Sequence, residues 1–390
     1  MTKAYDAIIV GAGLNGAATA FFLAQKGLTK TVVLDADTIG AGASGAAVGL
    51  LRSHYDNRPE TELAALSMPF FRNWPELVGG DCGWIETGFL RFIETGELDR
   101  MNANIAFQRD YNEKVEVLDA NALKDIAPGL QTADFGEAVA AVLYEPHSGT
   151  ADNHLATVTM LRQACAKGAE LRPFTRALKI ETDAGGVTGV LTDRGRLSAP
   201  VVILAAGVGC RDLAESCGEA LPLTERTIRA AELQVPDALG VSCSFMDPVS
   251  DSWFTPRGNR LGIVAVPPRS DGSTPSNFSR QEASTGLPAV QRRLPAIRQA
   301  TITRWWARGD CFAADGKPVI GAAENVGGLY YNTASAGKGH KVAPAVGLAL
   351  AELITEGASK TADLNPFSSR RLSEAPKPWS SSEYRKRVIG

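Results

Sequence analysis

The sequence predicts an α/β fold: a Rossmann-type dinucleotide-binding domain interleaved with a second domain built on a mixed β-sheet. Three observations carry this expectation. The opening DAIIVGAGLNGAATAFFLAQKG, followed by TVVLDAD, reads as strand, glycine turn, helix and strand. Two fully apolar strands flanking a helix are the pattern of a right-handed parallel βαβ unit. Segments of this character (1–75, 146–215 and 312–358) alternate with segments of mixed strand character (76–145 and 216–311), and 359–390 reads as a tail. A length of 390 residues suits two cores better than one.

The elements follow in order. Ile8–Val10 form the first strand, and a helix over 17–25 stops at Gly27. Thr31–Leu34 form the second strand, ending at Asp35. Residues 40–51 (GAGASGAAVGLL) are a loop of small residues that lets backbone approach something closely. Residues 61–74 read as an amphipathic helix with Leu63, Leu66, Phe70, Phe71 and Trp74 on its apolar side. WIETGFLRFI and AAVLYEP read as strands, and 97–124 mostly as helix. A helix over 152–167 starts at Asp152 or Asn153. Strands are expected near 176–182, 187–193 and 201–204, then several within 220–275. Residues 269–285 read as an exposed loop. A helix near 342–356 carries Pro344 in its first turn, and the last 25 residues read as loose.

Composition excludes several function classes. Hydrophobic residues make up 44% and charged residues 21%, with a formal net charge of −3, so no nucleic-acid footprint is expected. The six cysteines include no C-x-x-C pair and the four histidines no zinc spacing, so no metal is expected. Scattered cysteines fit reduced thiols and a cytoplasmic location. No apolar run reaches spanning length, and the N-terminus has no signal-peptide pattern.

The strongest chemical signal is GAGLNG at 11–16, with Asp35 nineteen residues beyond Gly16. Gly11 permits the turn, Gly13 lets backbone meet a pyrophosphate, and Gly16 allows close helix–strand packing. Ala12, Leu14 and Asn15 complete the turn, and an acid ending the second strand accepts from a ribose hydroxyl. Asp35 also argues against NADP, whose 2′-phosphate it would repel. LAAG at 204–207 closes a later strand, and GGLYYNTASAGKGHKVAPAVG at 327–347 sets a glycine turn before a helix. Such a helix can aim its positive end at a flavin ring.

With these pieces in view the chain resembles the D-amino-acid-oxidase-type flavoenzymes: sarcosine oxidases, glycine oxidases and D-amino-acid dehydrogenases. The matching stretches are GAGLNGAATAFFLAQKG, GASGAAVGLLRSHY, ETGFLRF, YEPHSGTADNHLAT, VVILAAG, DGKPVIG and SAGKGHKVAPAVG, spanning residues 6 to about 358. The resemblance implies FAD rather than NAD, and a substrate-binding domain covering the flavin. Beyond the glycine turn and Asp35, it implies flavin contacts at Ala36, Ala43, Ser44, Gly49, Leu50, Ala206 and Gly207. The second turn would add Gly337, Gly339, His340 and Lys341.

The resemblance also implies site roles. An arginine after the GASGAAVGLL loop and a lysine after the second turn hold the substrate carboxylate in sarcosine-oxidase-like members; here these are Arg52 and Lys341. Read alone, Arg52 also fits a phosphate or surface contact, and Lys341 a surface lysine at a helix start. His54 and Tyr55 are candidates for the same pocket, as are Lys338 and His340 beside the turn. Arg257 in SWFTPR lies on a strand that faces substrate in the relatives, and an ion pair is the alternative. Trp305 and Trp306 read as core. Two departures matter. Seven residues before Asp315, where monomeric sarcosine oxidases carry a flavin-linked cysteine, stands Arg308, with Cys311 out of step, so FAD is expected to bind noncovalently. Where those oxidases carry an oxygen-activating lysine, the nearest basic residue is Arg260. O2 and another electron acceptor both stay open.

The implied reaction is oxidation of the C–N bond of a small amine carrying a carboxylate, by hydride transfer to flavin N5 and hydrolysis of the imine. A secondary or N-methyl amino acid is favoured as substrate. The alternatives are a D-amino-acid dehydrogenase or oxidase, an FAD-dependent 2-hydroxy acid dehydrogenase, and the flavin subunit of a heteromeric oxidase. A partner subunit or a homo-oligomer is compatible with the last.

Overall fold

The computed structural model describes residues 4–111, 113–237, 239–258, 260–267, 278–373 and 379. The strand Ala7–Val10 lies inside a six-stranded sheet. In order its strands are Val319–Ala322, Leu329–Thr333, Val202–Leu204, Ala7–Val10, Thr31–Leu34 and Glu170–Arg172. All neighbours are parallel except the first pair. Alternation sorts the apolar side chains between two faces. Ala7, Ile9, Val33 and Ile203 pack under the helices Leu14–Gln25, Asn153–Ala166 and Gly339–Glu356. Ile8, Val10, Val32, Leu34, Val202 and Leu204 pack against Ile180, Val190 and Leu197 of an antiparallel meander over 177–198. This is the α/β architecture that the sequence predicts.

A second, eight-stranded mixed sheet runs Thr301–Ala313, Leu223–Gln234, Leu261–Ala265, Ser252–Arg257, Ser244–Asp247, Phe89–Glu94, Val139–Glu145 and Glu116–Leu118. One face buries Leu90, Phe92, Phe245, Phe254 and Val264 with Leu123 and Val290 of two short helices. The other buries Phe89, Met246, Trp253 and Ile263 against Leu50. Leu50 comes from the glycine-rich loop, so this face looks toward the first sheet's loops. The pair Leu50–Leu51 is stitched to Gly149–Thr150, which also pairs with Ile85–Glu86.

Close contact between helices positions the site. The opening helix packs along Gly339–Glu356. A Cβ on Gly347 would stand 2.8 Å from the Ala18 carbonyl carbon, so only glycine allows this approach. Among the described residues no helix is long and apolar enough to cross a membrane. All six cysteines are free.

Local expectations need correction at several points. Within 97–124 the helical reading holds for Leu98–Arg109 and from Ala120 onward, but a strand intervenes, Glu116–Leu118, whose buried Leu118 faces Val142 on the sheet edge. The loop 40–51 contains a helical turn, Ala43–Ala46, and a strand unforeseen from the sequence, Gly195–Ser198, completes the meander. The last helix begins at Gly339, three residues early, so Pro344 sits inside it and withholds the amide that would bond the His340 carbonyl. The segment after 358 is not loose throughout. Ala362, Leu364 and Phe367 are buried beside Tyr55 and Val342, and Arg371 pairs with Asp315 at 2.8 Å. Most of the expected 269–285 loop lies outside the described residues, but Arg280–Ala283 is helical because Ser279 and Glu282 form a capping box. Trp305 is exposed and Trp306 half-buried rather than core; their indoles bond the carbonyls of Phe278 and Ala46.

Replacing Gly347 with valine forces the two helices apart. We predict a loss of about 1–3 kcal/mol of stability, read as a lower urea midpoint; an unchanged midpoint would show that the contact is not tight.

Candidate active site

A cavity of about 610 Å³ runs across the C-terminal ends of the parallel strands, the position where open α/β sheets bind ligands. One end holds Asp35 and Ala36 and the middle Gly11, Gly13, Leu14 and Asn15, covered by Ala43 and Ser44. The far end holds Ala206, Gly207, Gly337, Gly339 and His340. Five expected contacts do not line it. Ala12 is buried behind, donating its amide to Asp35 Oδ2 at 2.8 Å. Gly16 serves packing: a Cβ there would collide with the carbonyl oxygen of Gly11. Gly49, Leu50 and Lys341 lie outside the lining.

The cradle suits a dinucleotide. The opening helix has no side-chain cap of its own, and its Leu14 amide donates instead to Ser44 Oγ of the covering turn at 2.9 Å. Its N-terminus therefore faces the cavity with positive potential. The Asp35 carboxylate is held by the amides of Ala12 and Asp37 (2.9 Å) while still lining the cavity, so further lone pairs remain for ribose hydroxyls. The residues present fit FAD.

The far end is electropositive. Strand Leu50–Leu51 and helix Gly339–Glu356 pack together, which brings Arg52 near Lys341. Arg52 is buried, donates to the His54 carbonyl, and lies 4.3 Å over the Tyr55 ring and 5.4 Å over that of Phe89. Lys341 is buried and donates to the Gly337 carbonyl at 3.1 Å. Burial first, then Arg52 and Lys338, push its pKa down to about 7. His340 packs edge-on against Phe71, and neither ring nitrogen meets a hydrogen-bond partner among the described residues. Burial, then Lys341 and Arg257, push it down to about 3, so it is neutral.

Other candidates go elsewhere. Lys338 forms a buried ion pair with Glu60 and donates to the Gly316 carbonyl at 2.9 Å. Asn57 caps helix Arg58–Arg72 by accepting from the Glu60 amide, which places Glu60 for this pair. His54 turns into a buried network, with Nδ1 at 2.9 Å from Gln108. Glu145 anchors that network by accepting from the amides of Ser53 (2.9 Å) and His54 (2.7 Å), so it fixes the loop carrying Arg52. Tyr55 lies under Arg52, its hydroxyl pKa raised chiefly by burial. Arg257 is half-buried and forms no hydrogen bond or ion pair among the described residues. Arg260 pairs with exposed Asp237, and exposed Arg308 donates to the neighbouring Ala307 carbonyl.

Sequence reasoning missed Thr175, Ala177, Asp310 and Cys311, all of which line the cavity. Thr175 is tied in by donating its amide to the Asp35 carbonyl at 2.7 Å. Asp310 accepts from the Gly337 amide at 2.6 Å and so pins the second turn; burial pushes its pKa up. The NTAS stretch at 332–335, where strand Leu329–Thr333 ends, was a usable signal for Asn332 and Ser335, which also line the cavity; no local pattern marks Asp310.

The family described as FAD dependent oxidoreductase matches residues 6–353. A glycine oxidase of Geobacillus kaustophilus (strain HTA426) is 28% identical over 384 residues, covering 95% of this chain and 98% of that protein. A sarcosine oxidase subunit beta of Rhizobium meliloti (strain 1021) is 25% identical over 372 residues, covering 92% and 86%. The structure of an L-proline dehydrogenase from P. horikoshii superposes with a TM-score of 0.86 at 22% identity, covering 96% and 99%, which speaks to the fold alone.

Removing the Asp35 carboxylate should weaken the ribose end. For Asp35→Ala we expect the Kd for FAD to rise about ten- to hundredfold, measured by flavin fluorescence titration of apoprotein. An unaltered Kd would mean that Asp35 serves only the turn.

Proposed function

The chain belongs to the FAD dependent oxidoreductase family, as an enzyme of amine or amino-acid oxidation, and from that premise we propose that its substrate is a small secondary or N-methyl amino acid. The observation that carries the reading is the buried cation pair, Arg52 and Lys341, which lies just outside the cavity lining next to His340 in the chain. Two buried positive charges side by side disfavour each other and are favourable around an anion. Similarity to a sarcosine oxidase subunit supports an N-methyl amine, and similarity to a glycine oxidase keeps the reacting carbon next to a carboxylate.

FAD, when bound, supplies the hydride acceptor. The chain's residues do the rest. Arg52 and Lys341 fix the carboxylate and thereby the direction of the substrate C–H. Lys341, with a pKa near neutrality, takes up a proton as the carboxylate arrives. Neutral His340 adds no charge of its own, and the neighbouring cations favour the uncharged form of a substrate amine. Phe89 and Tyr55 flank Arg52 and keep water from it. The imine formed is hydrolysed by water to an oxo acid or an aldehyde. FAD is held without a covalent bond: position 308 is arginine, and burial pushes the Cys311 thiol up to about 11, leaving little thiolate. The likeness to a subunit of a larger oxidase favours a second reading, in which a partner chain receives the electrons.

Three outcomes test this. Arg52→Ala and Lys341→Ala should each raise KM for a carboxylated amine by about ten- to hundredfold, with FAD content intact; unaltered KM in both sinks the clamp. Only protonated Lys341 attracts an anion, so carboxylate affinity should fall as pH rises through about 7, and Lys341→Met should flatten that profile. Acid precipitation should leave the yellow colour in the supernatant; a yellow pellet would show a covalent bond.

A further inference from the structure

Cations gather around the turn that ends at Lys341, and three of them have partners inside the protein. Arg52 donates to the His54 carbonyl, Lys338 to Glu60 and the Gly316 carbonyl, and Lys341 to the Gly337 carbonyl. Arg257 is the exception among the described residues. It ends strand Ser252–Arg257, half-buried, with no hydrogen bond or ion pair. Its Nη2 lies 3.3 Å from where a Cβ on Gly49 would stand, three residues before Arg52. Its charge is also felt at His340, after burial and Lys341.

Alternation along the strand puts Arg257 on the same face as Trp253. That face also carries Phe89, Met246 and Ile263, packed against Leu50 of the loop that leads to Arg52. An apolar wall therefore runs between the loop and the sheet, with an uncommitted guanidinium at the end of it. A planar guanidinium in this setting grips a carboxylate through paired hydrogen bonds, whereas an apolar group would leave it unmatched.

We infer that Arg257 is a second anion anchor, and that the preferred substrates are N-alkyl amino dicarboxylates. One carboxylate meets Arg52 and Lys341, an apolar spacer follows the wall, and the second carboxylate meets Arg257. The first half of this arrangement rests on the clamp reading above.

The test uses purified FAD-loaded protein. Malonate, succinate, glutarate and adipate are titrated while the oxidised flavin spectrum is followed, each beside the monocarboxylate of equal chain length. At least one dicarboxylate should bind about tenfold or more tighter than its monocarboxylate counterpart. Arg257→Met should abolish that ratio, and Arg257→Lys should keep part of it. Equal binding of every pair by the natural protein overturns the inference without recourse to any variant. So does a ratio that survives Arg257→Met. Reduction by N-methyl amino acids reports separately on the amine reading. A dicarboxylate preference that depends on Arg257, with no amine bleaching the flavin, upholds the anion anchor and removes the amine. Bleaching by sarcosine with no dicarboxylate preference does the reverse.

Discussion

The opening helix can lie against its own preceding turn only because position 16 has no side chain: a Cβ there would strike the Gly11 carbonyl oxygen. That contact fixes the direction of the helix and points its first amides into the cavity. The same helix is the surface on which Gly339–Glu356 rests, with Gly347 against Ala18. The N-terminal end of that later helix carries His340 and Lys341. One close approach in the first twenty residues thus sets both the phosphate end and the far end of the cavity.

Charge placement is the second constraint. Lys338 is neutralised by Glu60, and Asp310 is committed to the Gly337 amide. These pairs hold the second turn in shape and are costly to break singly. Arg52 and Lys341 lie close together, and burial first, then Arg52 and Lys338, lowers the proton affinity of Lys341. Glu145 feels the charge of Arg52. It holds the backbone of the loop from which Arg52 projects, with Gln108 also donating to it at 3.0 Å. The site is rigid through its acids and receptive through its cations.

Much of this was legible in the sequence where the physics is local. The glycine turn, Asp35 and the two apolar strands are neighbours along the chain, and the cavity follows their pattern. Arg52, His340 and Lys341 were reachable through resemblance; His340 lines the cavity, while Arg52 and Lys341 lie close to each other outside its lining. What stayed hidden depends on contacts distant in sequence. Asp310 meets Gly337 across two sheets, Thr175 meets Asp35 from another segment, and Glu145 meets the 53–54 amides from an outer strand. His54 looked like a pocket residue because it follows Arg52, yet a buried glutamine outcompetes the cavity for its ring. The tail read as loose from its prolines and serines, but Phe367 and Arg371 find a groove and a carboxylate that composition does not reveal.

The central claim is that FAD and the Arg52–Lys341 pair together oxidise an amine next to a carboxylate. Anaerobic titration of the purified protein, followed at the oxidised flavin band at about 450 nm, tests it most directly. Sarcosine and other N-methyl amino acids should bleach the band, while amines of the same size without a carboxylate should not. Bleaching by 2-hydroxy acids, with every amino acid inert, would contradict the account.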